Sequence, residues 1–256
     1  MPEGDSVYRE ARRLDAALRG QVLTTCDIRV PAYATVDLTG ETVDEVVSRG
    51  KHLLMRVGRA TIHSHLKMEG RWELHAPGER WRGPGYQARI VLATASRVAV
   101  GFQLGQVDVV RREAESRLVG HLGPDLLGPD WDAVVAVANL SHAPGRAIGE
   151  ALLDQRNLAG VGNVFRSEIC FLLGVLPDRP VADVDLVAAV EIAHRLLEQN
   201  KDRGRRTTTP PGSREALWVY GRRGPCLRCG TPIRRGQAAG EPGQERVVYW
   251  CPRCQT

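Results

Sequence analysis

Four cysteines fall within the last 31 residues of this 256-residue chain, as Cys226-Leu-Arg-Cys229 and Cys251-Pro-Arg-Cys254. Each C-x2-C pair offers a knuckle of two thiolates, and two knuckles make the tetrahedral set that Zn²⁺ takes. The pairs are separated by 21 residues, just beyond the usual zinc-ribbon spacing of about 15–20. Two disulfides are the competing arrangement, disfavoured in a chain expected to stay in the cytosol. A zinc ion held by Cys226, Cys229, Cys251 and Cys254 has no open coordination position, so the expected metal is structural rather than catalytic. Cys26 and Cys170 stand alone and are expected to be ordinary buried thiols.

The second chemical signal is the start of the chain, Met1-Pro2-Glu3-Gly4-Asp5. Proline at position 2 favours removal of the initiator methionine, which exposes a secondary amine. A helix beginning just behind that amine disfavours its ammonium form, leaving a neutral fraction able to attack. A secondary amine that adds to C1′ of a deoxyribose gives an iminium directly, the electron sink needed to eliminate a 3′ phosphate. Glu3 is placed to move protons to and from the opening sugar. Lys51, one of only three lysines, shares a strand face with Leu53, Met55 and Val57 by alternation, so it either snorkels or meets a partner. His63 and His65 share a face as well, and with no carboxylate near them in sequence they are expected to be structural.

A third signal is Ala159-Gly160-Val161-Gly162-Asn163, a glycine turn leading into an amphipathic helix with Asn163 as the expected N-cap. Free N–H groups at a helix start can hold an anion such as a DNA phosphate. No Gly-Lys-Ser/Thr follows, which excludes a nucleotide P-loop. Between 201 and 236 lie ten basic side chains against Asp202 and Glu215, a local charge of +8 in a chain whose net charge is +5. A basic block on an otherwise net-acidic body is the footprint of a polyanion binder.

The elements that must position these groups follow from periodicity. Val7, Ala11, Leu14 and Leu18 predict a helix from Asp5 to Arg19, capped by Asp5 or Ser6 and ended by Gly20. Residues 21–112 predict short strands, including 51–57, 60–65, 89–93 and 97–102, hence a sandwich or barrel. The turn-rich stretch 120–129 marks a boundary. Beyond it the period becomes helical: 130–140 with Asp130 as cap, then 145–154, 163–173 and 183–200, followed by a mobile loop over 207–212. Thr231–Arg235 and Arg246–Trp250 predict the arms of a hairpin between the knuckles, over a glycine-bearing turn. The division expected is 1–122, 130–222 and 223–256. There is no apolar run of membrane-spanning length and no signal-peptide pattern, so a cytoplasmic protein, associated with the nucleoid and monomeric, is expected.

Taken in order, these motifs resemble the formamidopyrimidine-DNA glycosylase/endonuclease VIII family. The resemblance rests on Pro2-Glu3-Gly4, Arg49-Gly50-Lys51, His65-Leu66-Lys67-Met68-Glu69-Gly70, the run Leu153–Asn163, and the finger ending Tyr249-Trp250-Cys251-Pro252-Arg253-Cys254-Gln255. It implies an α+β multidomain fold: an N-terminal β-sandwich with a leading helix, a helix-two-turn-helix domain, and a four-cysteine zinc finger. It implies Pro2 as Schiff-base nucleophile, Glu3 as the acid/base on the sugar, and Lys51 as a phosphate contact that assists catalysis. It further implies Asn163 and Arg246 on phosphates of damaged DNA, and Met68 filling the void left by a flipped base. The activity implied is removal of oxidised bases followed by β,δ-elimination. Two departures stand out. Asp5 and Ser6 occupy positions where the family often has Pro and Glu, and Val100–Gly105 replaces the Asp-Pro-Arg-Arg-Phe-Gly strand of the oxoguanine-specific branch. The latter favours the endonuclease VIII branch and oxidised pyrimidines. The rival readings are a non-catalytic damaged-DNA binder on the same scaffold and a lyase confined to abasic sites.

Overall fold

The computed structural model describes residues 2–238 and 246–256, the side chains of residues 238 and 246 excepted. In chain order the elements are α1 (Gly4–Leu18), β1 (Leu23–Ile28), β2 (Val43–Arg49), β3 (His52–Val57), β4 (Ala60–His65), β5 (Arg71–His75), β6 (Ala88–Thr94), β7 (Val98–Phe102), β8 (Gln106–Arg111), α2 (Ser116–Val119), α3 (Ala133–Ser141), α4 (Ile148–Ala151), α5 (Asn163–Leu173), α6 (Leu186–Asn200), β9 (Arg234–Ala238) and β10 (Arg246–Trp250). They form two compact units, Met1–His121 and Leu122–Thr256.

The first unit is a β-sandwich with a leading helix. Its two antiparallel sheets run β1-β6-β7-β5 and β2-β3-β4-β8. One core takes Val7, Ala11, Leu14 and Leu18 from α1, Leu53, Met55 and Val57 from β3, and Ile90 and Leu92 from β6. Each such side chain, fully buried, contributes roughly 1.5–3 kcal/mol before entropy is counted. Strand alternation then sends His52, Leu54 and Arg56 to the other face of β3. There Glu115, just ahead of α2, accepts from Arg56 at 3.0 and 2.6 Å and from the Thr61 hydroxyl at 2.8 Å.

Several sequence expectations are corrected. The N-cap of α1 is Glu3, not Asp5 or Ser6. Ser6 sits at N3, where its hydroxyl accepts from the Glu3 N–H at 2.9 Å and donates to the Glu3 carbonyl at 3.0 Å. Lys51 does not lie on the apolar face of a strand. The pairing Arg49↔His52 makes Gly50-Lys51 a two-residue hairpin turn, with Gly50 at φ +57°; a left-handed first turn residue is what glycine supplies at low cost. Cys26 is half-buried on β1, whereas Cys170 is fully buried.

The second unit packs α3–α6 around Leu140, Ile148, Phe165, Ile169, Val190 and Leu197. The cap of α3 is Asp132, two residues after the expected Asp130, accepting from Val134 and Val135 N–H at 2.9 and 3.1 Å. The helix expected over 145–154 is confined to α4, and α6 begins at Leu186 behind its cap Asp185. The N-cap of α5 is Gly162, so Asn163 is its first residue. The stretch 207–212 is pinned: Thr207 N–H donates to Asn200 at 2.7 Å, Thr208 N–H to the Ala216 carbonyl at 2.8 Å and the Thr209 hydroxyl to the Glu215 carbonyl at 2.6 Å. β9 and β10 pair antiparallel, with the first arm three residues later than expected. The turn expected between them lies outside the described residues. Among the described residues, no helix is long and apolar enough to cross a membrane.

Candidate active site, DNA interface and metal centre

At the head of α1, Pro2 is half-buried, and Glu3 and Asp5 are 0 and 1 % exposed. The Glu3–Ser6 exchange of hydrogen bonds fixes the backbone immediately after Pro2. Ser6, a departure from the family pattern, is therefore a helix-starting residue here. Both acidic residues fall at the positive end of the helix dipole, which suits their charge.

Lys51 lies in the β2–β3 turn, beside a histidine cluster that strand register assembles. β3 pairs His52 with His65, and β4 pairs His63 with Asp108 of β8. Asp108 accepts from His63 Nδ1 at 2.9 Å, and His63 Nε2 lies 2.8 Å from His52 Nδ1. The Tyr33 hydroxyl and the Gln106 amide donate to the same carboxylate at 3.3 and 2.8 Å. The carboxylate partner of His63 that appears absent in sequence is thus supplied 45 residues away. Burial first, then the neighbouring imidazoles and Lys67, pushes His52 down to about 3; burial, Lys67 and Lys51 push His65 down to about 4.

Met68, 64 % exposed, sits on the turn Leu66–Gly70 closed by the Gly70 N–H to the Leu66 carbonyl at 2.9 Å. Lys67 beside it adopts φ +55° and donates its N–H to His65 Nδ1 at 3.0 Å. The Lys67 stem occupies the space a Cβ on Gly105 would need, with Cγ 2.1 Å from that point. The neighbouring turn is drawn to this one: the Gln103 amide, at φ +46°, donates to Glu69 at 3.3 Å. Leu104 is 2 % exposed and packs toward the place a Gly101 side chain would occupy. Val100–Gly105 is therefore the end of β7 followed by a tight turn.

In the second unit, Gly160 takes φ +117°, reached by glycine alone without strain. Gln155 holds the turn, accepting from Gly160 N–H at 2.9 Å and donating to the Val161 carbonyl at 3.0 Å. Asn163 is 5 % exposed, and its amide donates to the Val247 carbonyl of β10 at 2.7 Å. Arg166 donates to that same carbonyl at 3.1 Å and to the Asn163 side-chain oxygen. The start of α5 is thereby tied to the residue following Arg246. Arg246 opens β10, but its side chain lies outside the described residues.

Sequence reasoning missed Arg166 and Glu168. Their signal was two charges on a helix that, Ser167 apart, is otherwise apolar from 164 to 173. Glu168, fully buried, accepts from the N–H groups of Trp218, Val219 and Tyr220 at 2.8–2.9 Å and from the Thr208 hydroxyl. It binds the segment ahead of the finger to α5. Part of the basic block is likewise structural: Arg206 lies over Phe165 at 4.7 Å and Arg228 over Phe171 at 4.5 Å. Arg203, Arg205, Arg214, Arg223, Arg234 and Arg235 are exposed.

The four finger cysteines converge with all sulfurs within 4.8 Å of one another. Cys226–Cys254 and Cys229–Cys251 Sγ separations are 3.9 and 3.5 Å. Tetrahedral Zn–S bonds of about 2.3 Å demand sulfur separations of about 3.8 Å, so the set fits a four-thiolate metal and not disulfides. Thr231 hydrogen bonds bring Cys229 down to about 6, whereas burial and then the other three sulfurs push Cys254 up to about 12. Such mutual opposition between thiolates is what a cation relieves.

The family model of the formamidopyrimidine-DNA glycosylase N-terminal domain matches residues 1–103, and that of the formamidopyrimidine-DNA glycosylase H2TH domain matches 122–201. The chain belongs to the formamidopyrimidine-DNA glycosylase/endonuclease VIII family. Within it, the resemblance is to the endonuclease VIII branch. A protein of Streptomyces coelicolor named probable endonuclease 8 2 is 57 % identical, covering 100 % of this chain and 94 % of that protein. The DNA-(apurinic or apyrimidinic site) lyase Nei2 of Mycolicibacterium smegmatis is 52 % identical over 100 and 99 %. Endonuclease 8 of Escherichia coli is 31 % identical over the whole of both chains. Among solved structures, Lactococcus lactis Fpg (MutM) in complex with a DNA containing N7-benzyl-Fapy-dG superposes with a TM-score of 0.82 over 100 % of both chains. At 21 % identity that likeness establishes the fold alone.

Proposed function

We propose that this chain is a bifunctional DNA glycosylase and abasic-site lyase of base excision repair. Once Met1 is removed, the Pro2 nitrogen attacks C1′ of the damaged nucleotide, a C1′–N bond forms and the bond to the base breaks. Glu3 protonates the sugar ring oxygen as the ring opens, leaving an iminium. Loss of a C2′ proton then expels the 3′ phosphate, and a second elimination expels the 5′ phosphate. The observation that carries this reading is the head of α1, where a fully buried carboxylate follows Pro2 directly and Ser6 locks the backbone between them.

Lys51, Asn163 and Arg246 serve the DNA backbone in this reading, Asn163 by fixing β10 and with it the base of Arg246. The exposed Met68 fills the space of the extruded base. The stretch Gly101–Gly105 has no arginine and its Phe102 is fully buried, so it offers no wedge, which favours oxidised pyrimidines over 8-oxoguanine. One Zn²⁺ on Cys226, Cys229, Cys251 and Cys254 holds the finger and takes no part in bond breaking. The finger, 223–256, then acts as a module distinct from the helical domain of 130–222, behind a catalytic domain of 1–122.

Borohydride reduction during reaction with abasic or oxidised-pyrimidine DNA should freeze a covalent adduct, and peptide mapping should place it on the Pro2 nitrogen. Retained Met1 turns that amine into an amide and should abolish trapping while leaving DNA affinity intact. Glu3→Gln should lose base excision yet keep part of the cleavage at preformed abasic sites, which also separates this reading from a lyase without base excision. An adduct through Lys51 or any other side chain would remove Pro2 as nucleophile.

A further inference from the structure

The Asp108–His63–His52 chain has a direction that can be worked out atom by atom. Asp108 has its acidity strengthened by His63, Gln106 and Tyr33 despite partial burial, so its carboxylate accepts and His63 Nδ1 carries the proton it donates. With that one proton on the His63 ring, the remaining nitrogen, Nε2, is an acceptor. His52 Nδ1, at 2.8 Å, must be the donor to it. That leaves neutral His52 with its lone pair on Nε2. The neighbouring His65 is set by a separate contact. Its Nδ1 accepts from the Lys67 N–H at 3.0 Å, so its proton resides on Nε2.

Around His52 the rings of His63, His65 and His121 lie at centroid distances of 5.0, 5.0 and 6.3 Å. The charged groups facing this cluster are Lys51 from the β2–β3 turn, Lys67 from the turn after β4 and Asp108 from β8; Tyr33 adds a neutral hydroxyl. Two cations and one half-buried carboxylate leave a positive excess that, with burial, disfavours a proton on His52 and His65, although the relay presents a lone pair ready for one. An external anion would reverse that balance. Lys67 is prepared for one by its left-handed backbone and by the Gly105 surface on which its stem lies.

We propose that this face is a proton-linked site for a DNA backbone phosphate: docking of the phosphate beside Lys67 draws a proton from solvent onto Nε2 of His52. The new charge is balanced by the phosphate outside and, through His63, by Asp108 inside. No bond other than N–H forms. A unit anion at about 4 Å, at an effective dielectric constant of about 20, would raise an imidazole by about three pH units. The inference rests on the DNA-repair reading above and adds to it a dependence of binding on pH.

The test is calorimetric titration of the full-length zinc-loaded protein with a tetrahydrofuran-containing duplex near pH 5, in two buffers of different ionisation heat. Wild type should take up about one proton per duplex, and affinity should rise by up to about tenfold for each pH unit lowered through the uptake window. Asp108→Asn and His52→Gln should each bring uptake near zero while the duplex still binds. Should Asp108→Asn fail to fold, His52→Gln at the half-buried end of the relay decides alone. Wild-type binding without uptake, or uptake kept in the variants, overturns this inference and leaves the DNA reading standing; no binding at all overturns both. Equal uptake with inorganic phosphate alone would assign the site to the free anion and overturn the claim for DNA.

Discussion

The finger and the histidine face solve one problem, gathering polar side chains at a point, by opposite means. In the finger each C-x2-C knuckle brings two sulfurs together by local geometry, and only the two knuckles must meet. In the histidine face the pairings of His52 with His63 and His65, and of His63 with Asp108, each join residues 11 or more apart in sequence. Asp108 reaches His63 because β8 pairs with β4 in one register, and His52 reaches His63 and His65 because β3 lies alongside. A slip of one residue would turn every one of these side chains to the opposite face. The finger's four thiolates form a set that a metal would close, whereas the histidine face depends on the sandwich beneath it.

Breaking the finger should have the largest effect. Chelation, or Cys251→Ser, should release zinc and collapse the finger, since binding of a structural Zn²⁺ contributes on the order of 10–16 kcal/mol to such modules. Metal analysis, circular dichroism and duplex binding would record it, and a metal-free chain with an intact finger would refute the assignment. Next comes Glu168→Ala, which strips the three N–H groups of residues 218–220 of their acceptor. A loss of about 1–3 kcal/mol is expected for each N–H left without an acceptor, read from denaturant unfolding. A loss near zero would mean that the finger's approach segment is held by packing alone.

The histidine face should respond more gently, and to acid. His52 and His65 are held at about 3 and about 4 in the folded state, below their ordinary value of 6.5. The unfolded chain therefore binds more protons across the interval, and the stability that neutral burial contributes is lost as pH falls from about 6.5 toward 3–4. Melting temperature should drop through that window, and less steeply in His52→Gln; an identical slope would move the acid sensitivity elsewhere. The smallest change in stability is expected for the exposed Met68→Ala, within about 0.5 kcal/mol. Its effect should appear instead in turnover of lesions in intact duplex relative to preformed abasic DNA. Equal loss on both substrates would exclude a void-filling role.

What was legible in the sequence follows this contrast. The cysteine set, the amphipathic α1, the glycine turn before α5 and the β-to-helical change of period near residue 120 are local patterns, and the fold bears them out. Lys51 was misplaced because alternation alone cannot distinguish a strand's first residue from the turn before it. Asn163 was taken for a cap because asparagine favours that position, whereas the side chain is drawn away by the Val247 carbonyl. The loop at 207–212 looked mobile because it is polar. It is held because Glu168, 40 residues earlier, accepts from Thr208.

By itself, then, the sequence supplied the candidate groups and their order: Pro2-Glu3, Lys51, Met68, Asn163 and the four cysteines. Residue type and short spacing suffice for that, because covalent structure sets which functional group a side chain carries in any fold. Tertiary structure alone decided what stands opposite each of them. Strand register gave His63 its carboxylate and brought His52 beside His63 and His65. The packing of α5 against β10 turned Asn163 and Arg166 toward one carbonyl. Such pairings depend on distances across the chain, which hydrogen-bond ladders and the burial of apolar faces impose only once the whole unit has closed.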